Sequence, residues 1–366
     1  MTIPLVFVDL LSYTGTKGGM ETYTRELYRE LGQMDTGFDF VGLASREGSR
    51  LDLGWFPGDV IRSRLSGENR AVWAFGELVA TSAHARWRRA DLVHCPATLG
   101  PLRTSMPTVL TLHDMLYWSH PEFMVTPFFT RPVMWMERGA AANATRIITD
   151  SEVSAGEIAK YLGFPRDRLH VVPLAARTSA YAPRADVGEN LVLASGQRRP
   201  YKNWDGLIRA LALVEESIRP RLVITGAAPG DDPLRPVVDE CGLATWVDLR
   251  GWVDADKLAE LRSRARALAF PTLAEGFGLP VLEAMSIGLP VIASDLPVLR
   301  EVGGDAALWF DPRSPASIAG ALRTVATNPQ AMLRASRAGI TQAASFSWRR
   351  VAEETVAVFR TALADR

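Results

Sequence analysis

Cysteine is nearly absent from this 366-residue chain. There are two, Cys95 and Cys241, far apart and without ligand spacing. A disulfide framework is not expected, and a reduced, cytoplasmic setting fits. Histidine is scarce as well, with five residues and no close pair at metal spacing. Charge of one sign is missing: 41 basic side chains balance 41 acidic ones. Bulk electrostatics therefore gives no pull toward nucleic acid or membrane. No apolar stretch approaches the roughly 20 residues that a membrane span needs. The opening run MTIPLVFVDLLSYTG lacks a basic leader and is broken by Asp9, so it reads as a buried strand and not as a signal peptide. Short-period repeats and low-complexity tracts are also lacking.

What is present is a large apolar fraction, 47%, with 22% charged residues, the composition of a globular chain with a sizeable core. The length favours two domains. Short apolar runs alternate with amphipathic segments throughout. The runs are 3–10, 38–43, 91–95, 108–112, 146–149 and 169–174 in the first half. In the second half they are 190–195, 221–226, 246–251, 265–271, 289–294 and 306–310. Several are rich in β-branched residues and apolar on both faces, as strands covered on both sides are. Segment 204–217 carries Leu207, Leu211 and Val214 at helical spacing. Strand alternating with helix predicts parallel sheets with helices on both faces.

The series starts twice. Residues 1–177 form one expected domain, 178–190 a turn-rich linker and 191–346 a second domain. A last helix, 347–366, follows; its docking place is not fixed by the sequence, and the first domain is one option. The fold class is α/β, with two doubly wound, Rossmann-like domains facing a central cleft. Ligands of such sheets bind at the carboxyl ends of the strands.

The stretch PTLAEGFGLPVLEAMSIGLPVIAS, 271–294, carries the sharpest chemical signal. A strand ends at Pro271, and a helix is expected from about Pro280 to Gly288. Its first turn offers unpaired N–H groups and partial positive charge. Gly276 and Gly278 let an anion approach the main chain closely. Glu283, in about the first turn, could grip a vicinal diol such as a ribose, and Glu275, on the loop, another polyol. Phosphate seat and two polyol clamps in one line spell a nucleotide sugar. Taken singly, either glutamate could simply favour a helix start.

With those residues in view, Glu275 through Glu283 resembles the paired-glutamate signature of family 4 glycosyltransferases, retaining enzymes of the GT-B fold. Other segments match in order: GGMETYTREL (18–27), LHDMLYWSHPEFM (112–124), 150–175, SGQRRPYKNWDGLIRAL (195–211) and EVGGDAALWFDP (301–312). The likeness spans nearly the whole chain, and the 200–203 and 112–122 segments most resemble the mannosyltransferase-like branch. Carried over position by position, the resemblance implies that Glu283 holds the donor ribose. Glu275 holds the donor sugar and diphosphate with the main chain of Gly276, Phe277, Gly278 and Leu279. Lys202 is implied to bind the diphosphate, and His113 to face the donor sugar. Gly18 and Gly19 are implied to lie near the phosphates, and Gly251 and Trp252 beside the base. Many members carry arginine directly after the glycine of the 195–211 loop. Here Gln197 follows Gly196, and Arg198 is the candidate for the second positive charge.

The resemblance implies a retaining, metal-independent hexosyltransferase with catalytic residues His113, Lys202 and Glu275, no metal site and no cofactor beyond the nucleotide diphosphate sugar it consumes. GDP-mannose is the leading donor, with UDP-sugars next. The acceptor would be a hydroxyl of a glycan or lipid-linked acceptor in cell-envelope polysaccharide or glycolipid synthesis. No strong nucleophile–base pair is visible, so front-face substitution is the implied route. The rivals are a nucleotide-sugar epimerase, which would need a further carboxylate set, and a non-catalytic relative, which would be expected to lose Glu275, Lys202 or His113.

Asp254-Ala-Asp256 spells a metal-binding D-x-D but reads better as a helix N-cap. Gly226 to Gly230 lacks dinucleotide-loop spacing, and GTKGG near residue 15 is not a phosphate-binding Walker loop. HARWRRA (84–90) and PFFTRPVMWMER (127–138) mix large apolar and basic residues. They suit helix packing, or peripheral contact with the inner face of the cell membrane.

Overall fold

Runs such as Leu5–Leu10 and Val291–Ser294 are apolar without alternation because they become parallel strands covered on both faces. The computed structural model describes residues 3–124, 127–177, 186–228 and 230–365. These divide into two units: one runs to Leu174 and takes in Ser347 onward, and the other is Ala175–Phe346.

The first unit contains β1 (Leu5–Leu10), α1 (Gly19–Leu31), β2 (Asp39–Ala44), β3 (Asp59–Arg62) and α2 (Arg70–Phe75). A π turn, Gly76–Ala80, leads from α2 into α3 (Thr81–Trp87). Then come β4 (Leu92–Cys95), β5 (Thr108–Thr111), α4 (Leu116–Ser119), α5 (Pro127–Asn143), β6 (Arg146–Thr149), α6 (Glu152–Leu162) and β7 (Leu169–Val171). The sheet order is β3-β2-β1-β4-β5-β6-β7, all parallel.

The second unit contains β8 (Leu191–Ser195), α7 (Trp204–Ala212), β9 (Arg221–Ala227), α8 (Arg235–Glu240), β10 (Val247–Gly251), α9 (Ala255–Arg264) and β11 (Ala267–Phe270). It continues with α10 (Leu279–Ser286), β12 (Val291–Ser294), α11 (Pro297–Gly303), β13 (Leu308–Phe310), α12 (Pro315–Thr327) and α13 (Pro329–Ala343). Its order is β10-β9-β8-β11-β12-β13, again parallel. Both sheets are doubly wound. Strand order reverses between β1 and β4 in the first unit and between β8 and β11 in the second, which makes each pair of loops there a crevice.

The last helix, α14 (Trp348–Ala364), belongs to the first unit. Phe359 is fully buried and packs edge-on against Phe38, ring centres 5.9 Å apart, and against His94 at 5.1 Å. Trp348 meets Tyr23 of α1. Of the expected linker, residues 178–185 lie outside the described residues. Strand β3 was not anticipated. Its four residues, DVIR, begin with an exposed Asp59 and lie at the sheet edge, so little apolar signal marks them.

Candidate functional site

In the second unit the switch-point crevice lies between the loops that follow β8 and β11. The β8 loop opens with Gly196, at φ +148°, and Gly226 of β9 packs against it so closely that a Cβ there would stand 2.6 Å from the Gly196 carbonyl oxygen. Pro200–Lys202 forms a single 3₁₀ turn, closed by Asn203 in the left-handed region at φ 56°. Asparagine tolerates that conformation, and here its side chain fixes it. Asn203 Nδ2 donates to the carbonyls of Pro271 (3.1 Å) and Pro312 (2.9 Å). The Tyr201 carbonyl accepts from the Leu273 N–H at 2.7 Å. The loops after β8, β11 and β13 are thereby tied together. Asn203 was not singled out from the sequence as a site residue; its signal would have been an asparagine directly before a helix, followed three positions later by Gly206, where a Cβ would collide with the Asn203 side chain at 2.3 Å.

Across this crevice Lys202 Nζ forms an ion pair with Glu275 Oε1. Both side chains are only 14% exposed. The ammonium also lies over the ring of Phe270, 4.9 Å from its centre. A lysine fixed by a carboxylate and an aromatic face is a positioned charge, not a solvated surface one. The loop continues through Gly276 and Phe277 to Gly278, which caps α10 at φ 99°. A Cβ at Gly278 would meet Leu299 Cδ2 at 2.4 Å, so glycine is required twice over. Phe277 is 5% exposed and packs edge-on against Phe346, so only its main chain is available to a ligand. Among the described residues, the N–H groups of Phe277 and Gly278 have no acceptor in the protein. They stand at the positive end of α10 beside Lys202's partner Glu275.

Glu283 is the fifth residue of α10, just past its first turn and close to where the sequence pattern puts it. Its Oε2 accepts from Arg262 NH2 of α9 at 2.7 Å. Arg262 was not anticipated; it lies in a helix read only for its cap. That cap is present, with Asp254 Oδ1 accepting from the Lys257 N–H at 2.8 Å.

Arg198 has a different place from the one the resemblance suggested. Its guanidinium pairs with Asp232 at 2.9 Å. It also donates to the carbonyls of Thr225 (2.9 Å) and Ile224 (3.0 Å). The side chain is 7% exposed. In this arrangement Arg198 fastens the β8 loop to the ends of β9 and β10, and its charge is spent on Asp232, whose carboxyl it holds below the usual range against burial. Beside that ion pair, a cavity of about 800 Å³ opens, lined by Ala227, Asp231, Asp232, Leu249, Gly251 and Trp252 among others. The strand register slips between Leu249 and Gly251, and Trp252 stands 75% exposed at its rim.

In the first unit, Gly18 is the N-cap of α1 at φ 65°, and both Gly18 and Gly19 are exposed. Glu21 Oε1, in the first turn of the helix, accepts from the N–H groups of Thr14 (2.6 Å), Gly15 (2.9 Å) and Thr16 (3.2 Å), which shapes the loop from within. His113 follows β5. Its Nδ1 lies 2.8 Å from Asp150 Oδ2, and its Nε2 lies 3.1 Å from the Pro96 carbonyl oxygen. Two acceptors at both nitrogens favour the doubly protonated ring. Burial works against that charge, but Asp150 prevails and raises the His113 pKa. His94 is pushed down to about 3 by burial and by the charge of His113. The structure thus brings Lys202, Glu275 and the start of α10 together, sets Gly251 and Trp252 at the neighbouring cavity, and holds His113, Gly18 and Gly19 in the first unit.

The chain matches the family model Glycosyltransferase Family 4 over residues 17–179 and Glycosyl transferases group 1 over 179–342. It is 31% identical over 270 residues to O-antigen chain mannosyltransferase B of Escherichia coli, covering 69% of this chain and 70% of that protein. The chain belongs to glycosyltransferase family 4. Among solved structures, this family 4 chain superposes on sucrose-phosphate synthase from Thermosynechococcus elongatus with a TM-score of 0.79 at 18% identity, each chain covered in full. It superposes on Anabaena Alr3699/HepE in complex with UDP-glucose with a TM-score of 0.73 at 17% identity, covering 98% of this chain and all of the other. Both likenesses show the GT-B fold. The paired glutamates of this family 4 member therefore sit on a glycosyltransferase scaffold.

Proposed function

We propose that this protein is a retaining, metal-independent mannosyltransferase that uses GDP-mannose and transfers to a hydroxyl of a glycan or lipid-linked acceptor in cell-envelope polysaccharide or glycolipid synthesis. The observation that carries the reading is the Lys202–Glu275 pair set across the switch-point crevice at the start of α10. The donor diphosphate would lie against Lys202 and the N–H groups of Phe277 and Gly278. There the helix end and the ammonium stabilise charge as it develops on the leaving oxygen. Glu275, released from part of its pairing, would accept from sugar hydroxyls. Glu283, held through Oε2 by Arg262, would offer Oε1 to the ribose.

The base would enter the cavity beside Gly251, with the Trp252 ring available for stacking. Asp231, exposed on that cavity, supports guanine over uracil. A carboxylate accepts two hydrogen bonds, matching the adjacent N1–H and N2–H of guanine, while uracil offers a single N3–H. Arg198 keeps its structural place and is given no phosphate.

In the reaction, the bond from the sugar C1 to the phosphate oxygen breaks and nucleoside diphosphate leaves with the electron pair. The acceptor oxygen forms its bond to C1 on the same face. Its proton passes to the departing phosphate oxygen, so no protein base is required. His113, carried as a cation on Asp150, would face the sugar hydroxyls from the first unit, with Gly18 and Gly19 near the phosphates.

A second reading keeps the site and changes the donor to a UDP-sugar; the neighbour bound to UDP-glucose is the observation in its favour. The test is incubation with GDP-mannose and with UDP-glucose, in chelator, with nucleotide release followed by chromatography and the product anomer read by NMR. Release of GDP with retention supports the proposal. Release of UDP alone moves the reading to the second donor. Inversion, epimerised sugar, or turnover of neither donor overturns it.

A further inference from the structure

Two helical stretches of the first unit expose large apolar side chains together with arginines, while the carboxylates carried on the same stretches are buried. Along α2, the π turn and α3, Phe75, Val79 and Trp87 are 56%, 49% and 71% exposed. On α5, Phe128 and Trp135 are 80% and 64% exposed and lie seven residues apart, with the exposed Arg131 between them on the same face. Ala85 of α3 and Ala140 and Ala141 of α5 enter one hydrophobic cluster, so both helices cover the same face of the sheet. Leu102 lies between them. Its N–H donates to the Leu78 carbonyl of the π turn at 3.1 Å, and its side chain abuts Gly139 of α5.

The charge on this face is one-sided, although the chain as a whole is neutral. Between Arg70 and Ala90 and along α5 there are six arginines: Arg70, Arg86, Arg88, Arg89, Arg131 and Arg138. The same stretches hold two carboxylates, Glu77 and Glu137, and both are buried, at 1% and 2% exposure. Burial also holds their protons on: Glu137 is raised to about 8 and Glu77 well above the carboxylate range. Arg88 and Arg138 are engaged, the first 3.6 Å from Asp59 of β3 and the second over Trp118. The remaining four have no carboxylate partner of their own on these stretches. Among the described residues, no helix is long and apolar enough to cross a membrane.

We propose that the α2–α3 and α5 face of the first unit docks on an anionic lipid bilayer, with Trp87, Phe128 and Trp135 entering the headgroup region and the arginines meeting lipid phosphates. Aromatic side chains beside cations, projecting from helices that otherwise pack inward, fit the boundary between water and acyl chains. A protein partner would have to bring its own dense acidic surface. A bilayer rich in anionic lipid supplies one everywhere and accepts the exposed rings without matching their shape. The inference stands on the first unit and does not rest on the donor reading. It goes beyond that reading by placing the enzyme at the surface where a lipid-linked acceptor would be found.

The test is co-sedimentation of the full chain with phosphatidylcholine vesicles made with and without phosphatidylglycerol, containing no acceptor lipid. The wild-type chain should partition about tenfold or more in favour of the anionic vesicles, and high salt should reduce this. The triple variant R86E/R89E/R131E should lose that preference. The triple variant W87S/F128S/W135S should lose binding while keeping its melting temperature, because all three side chains are exposed. Equal binding to both vesicle types, or undiminished binding by both variants, would overturn the proposal. So would a concentration-dependent dimer in sedimentation that either variant abolishes, since the face would then belong to a second copy.

Discussion

Lys202 is a short way from being an ordinary surface lysine, and what separates it from one is Glu275 on one side and the Phe270 ring on the other. If it steadies the leaving phosphate, Lys202→Ala should lower kcat by about 10²–10³, a barrier of roughly 2.7–4 kcal/mol, as loss of a single oxyanion donor does. Donor affinity should fall much less. An unchanged kcat in a steady-state assay would remove Lys202 from the chemistry. A second residue-scale prediction concerns Asp9, at the end of β1. It is 2% exposed, accepts from the Leu11 N–H at 2.8 Å and from Thr81 Oγ1 at 2.6 Å, and burial lifts its pKa to about 6. The native state therefore holds a proton that the unfolded chain releases near 3.8. Stability from this group is fully present at low pH and falls as pH rises toward about 6, by about 3 kcal/mol at 1.36 kcal/mol per pKa unit. Asp9→Asn keeps both partners, since Thr81 Oγ1 can turn to the Gly76 carbonyl 3.1 Å away and accept from the amide. The variant should melt higher than wild type at pH 7.5 and about equally at pH 4. A lower melting point at both values would show that the carboxylate is needed as an anion. His113 has the opposite sense of charge: its stabilising pairing with Asp150 is present below its ordinary pKa and is lost as pH climbs through the raised value.

Elements decide which of these residues meet. The loop from Pro271 to Gly278 and the start of α10 were legible in the sequence because proline and glycine punctuate them, and Gly278 is demanded by its φ of 99° and by the nearby Leu299. Gly278→Ala should therefore cost at least about 1–2 kcal/mol from the left-handed backbone alone, with the Leu299 contact added. Its thermal midpoint and its nucleotide affinity should drop together. A variant as stable as wild type would mean that α10 begins elsewhere. Other parts of the site were not legible for a physical reason. Asn203, Asp232 and Arg262 act through partners far away in sequence: Asn203 reaches Pro312, Asp232 answers Arg198, and Arg262 holds Glu283. A motif records neighbours along the chain, whereas these contacts exist only once β8, β9, β11 and β13 are assembled in one sheet. Arg198 illustrates the limit from the other direction. The family pattern suggested a phosphate ligand, yet a carboxylate 34 residues away and three nearby carbonyls take up its donors. Strand β3 went unseen because an exposed four-residue edge strand needs no apolar pattern.

On the scale of the whole molecule, the consequence of most interest is that the chain leaves its first unit at Leu174 and re-enters it at Ser347. Helix α14 supplies Trp348, Val351, Val356, Val358 and Phe359 to that unit, all buried. Each such side chain is worth roughly 1.5–3 kcal/mol when fully buried. Five together rival the 5–15 kcal/mol by which a domain is stable at all. The helix also covers β4, β5 and β6, so its loss would uncover the face of the sheet opposite α3 and α5, where Phe359 meets His94. The second unit has a core of its own, which includes Leu322, Val325 and Met332 of α12 and α13. A chain stopped at Phe346 should therefore fail selectively. Hydrogen exchange followed by mass spectrometry should show β4, β5 and β6 exchanging freely while peptides from β8, β11 and α10 keep their protection. Nucleotide should still slow exchange near Gly278, because Lys202 and the N–H groups of Phe277 and Gly278 lie in the unit that remains folded, although the contribution of Gly18 and Gly19 would be lost. Uniform loss of protection would show that the two units fold as one cooperative body, and full protection throughout would show that α14 contributes little to the first.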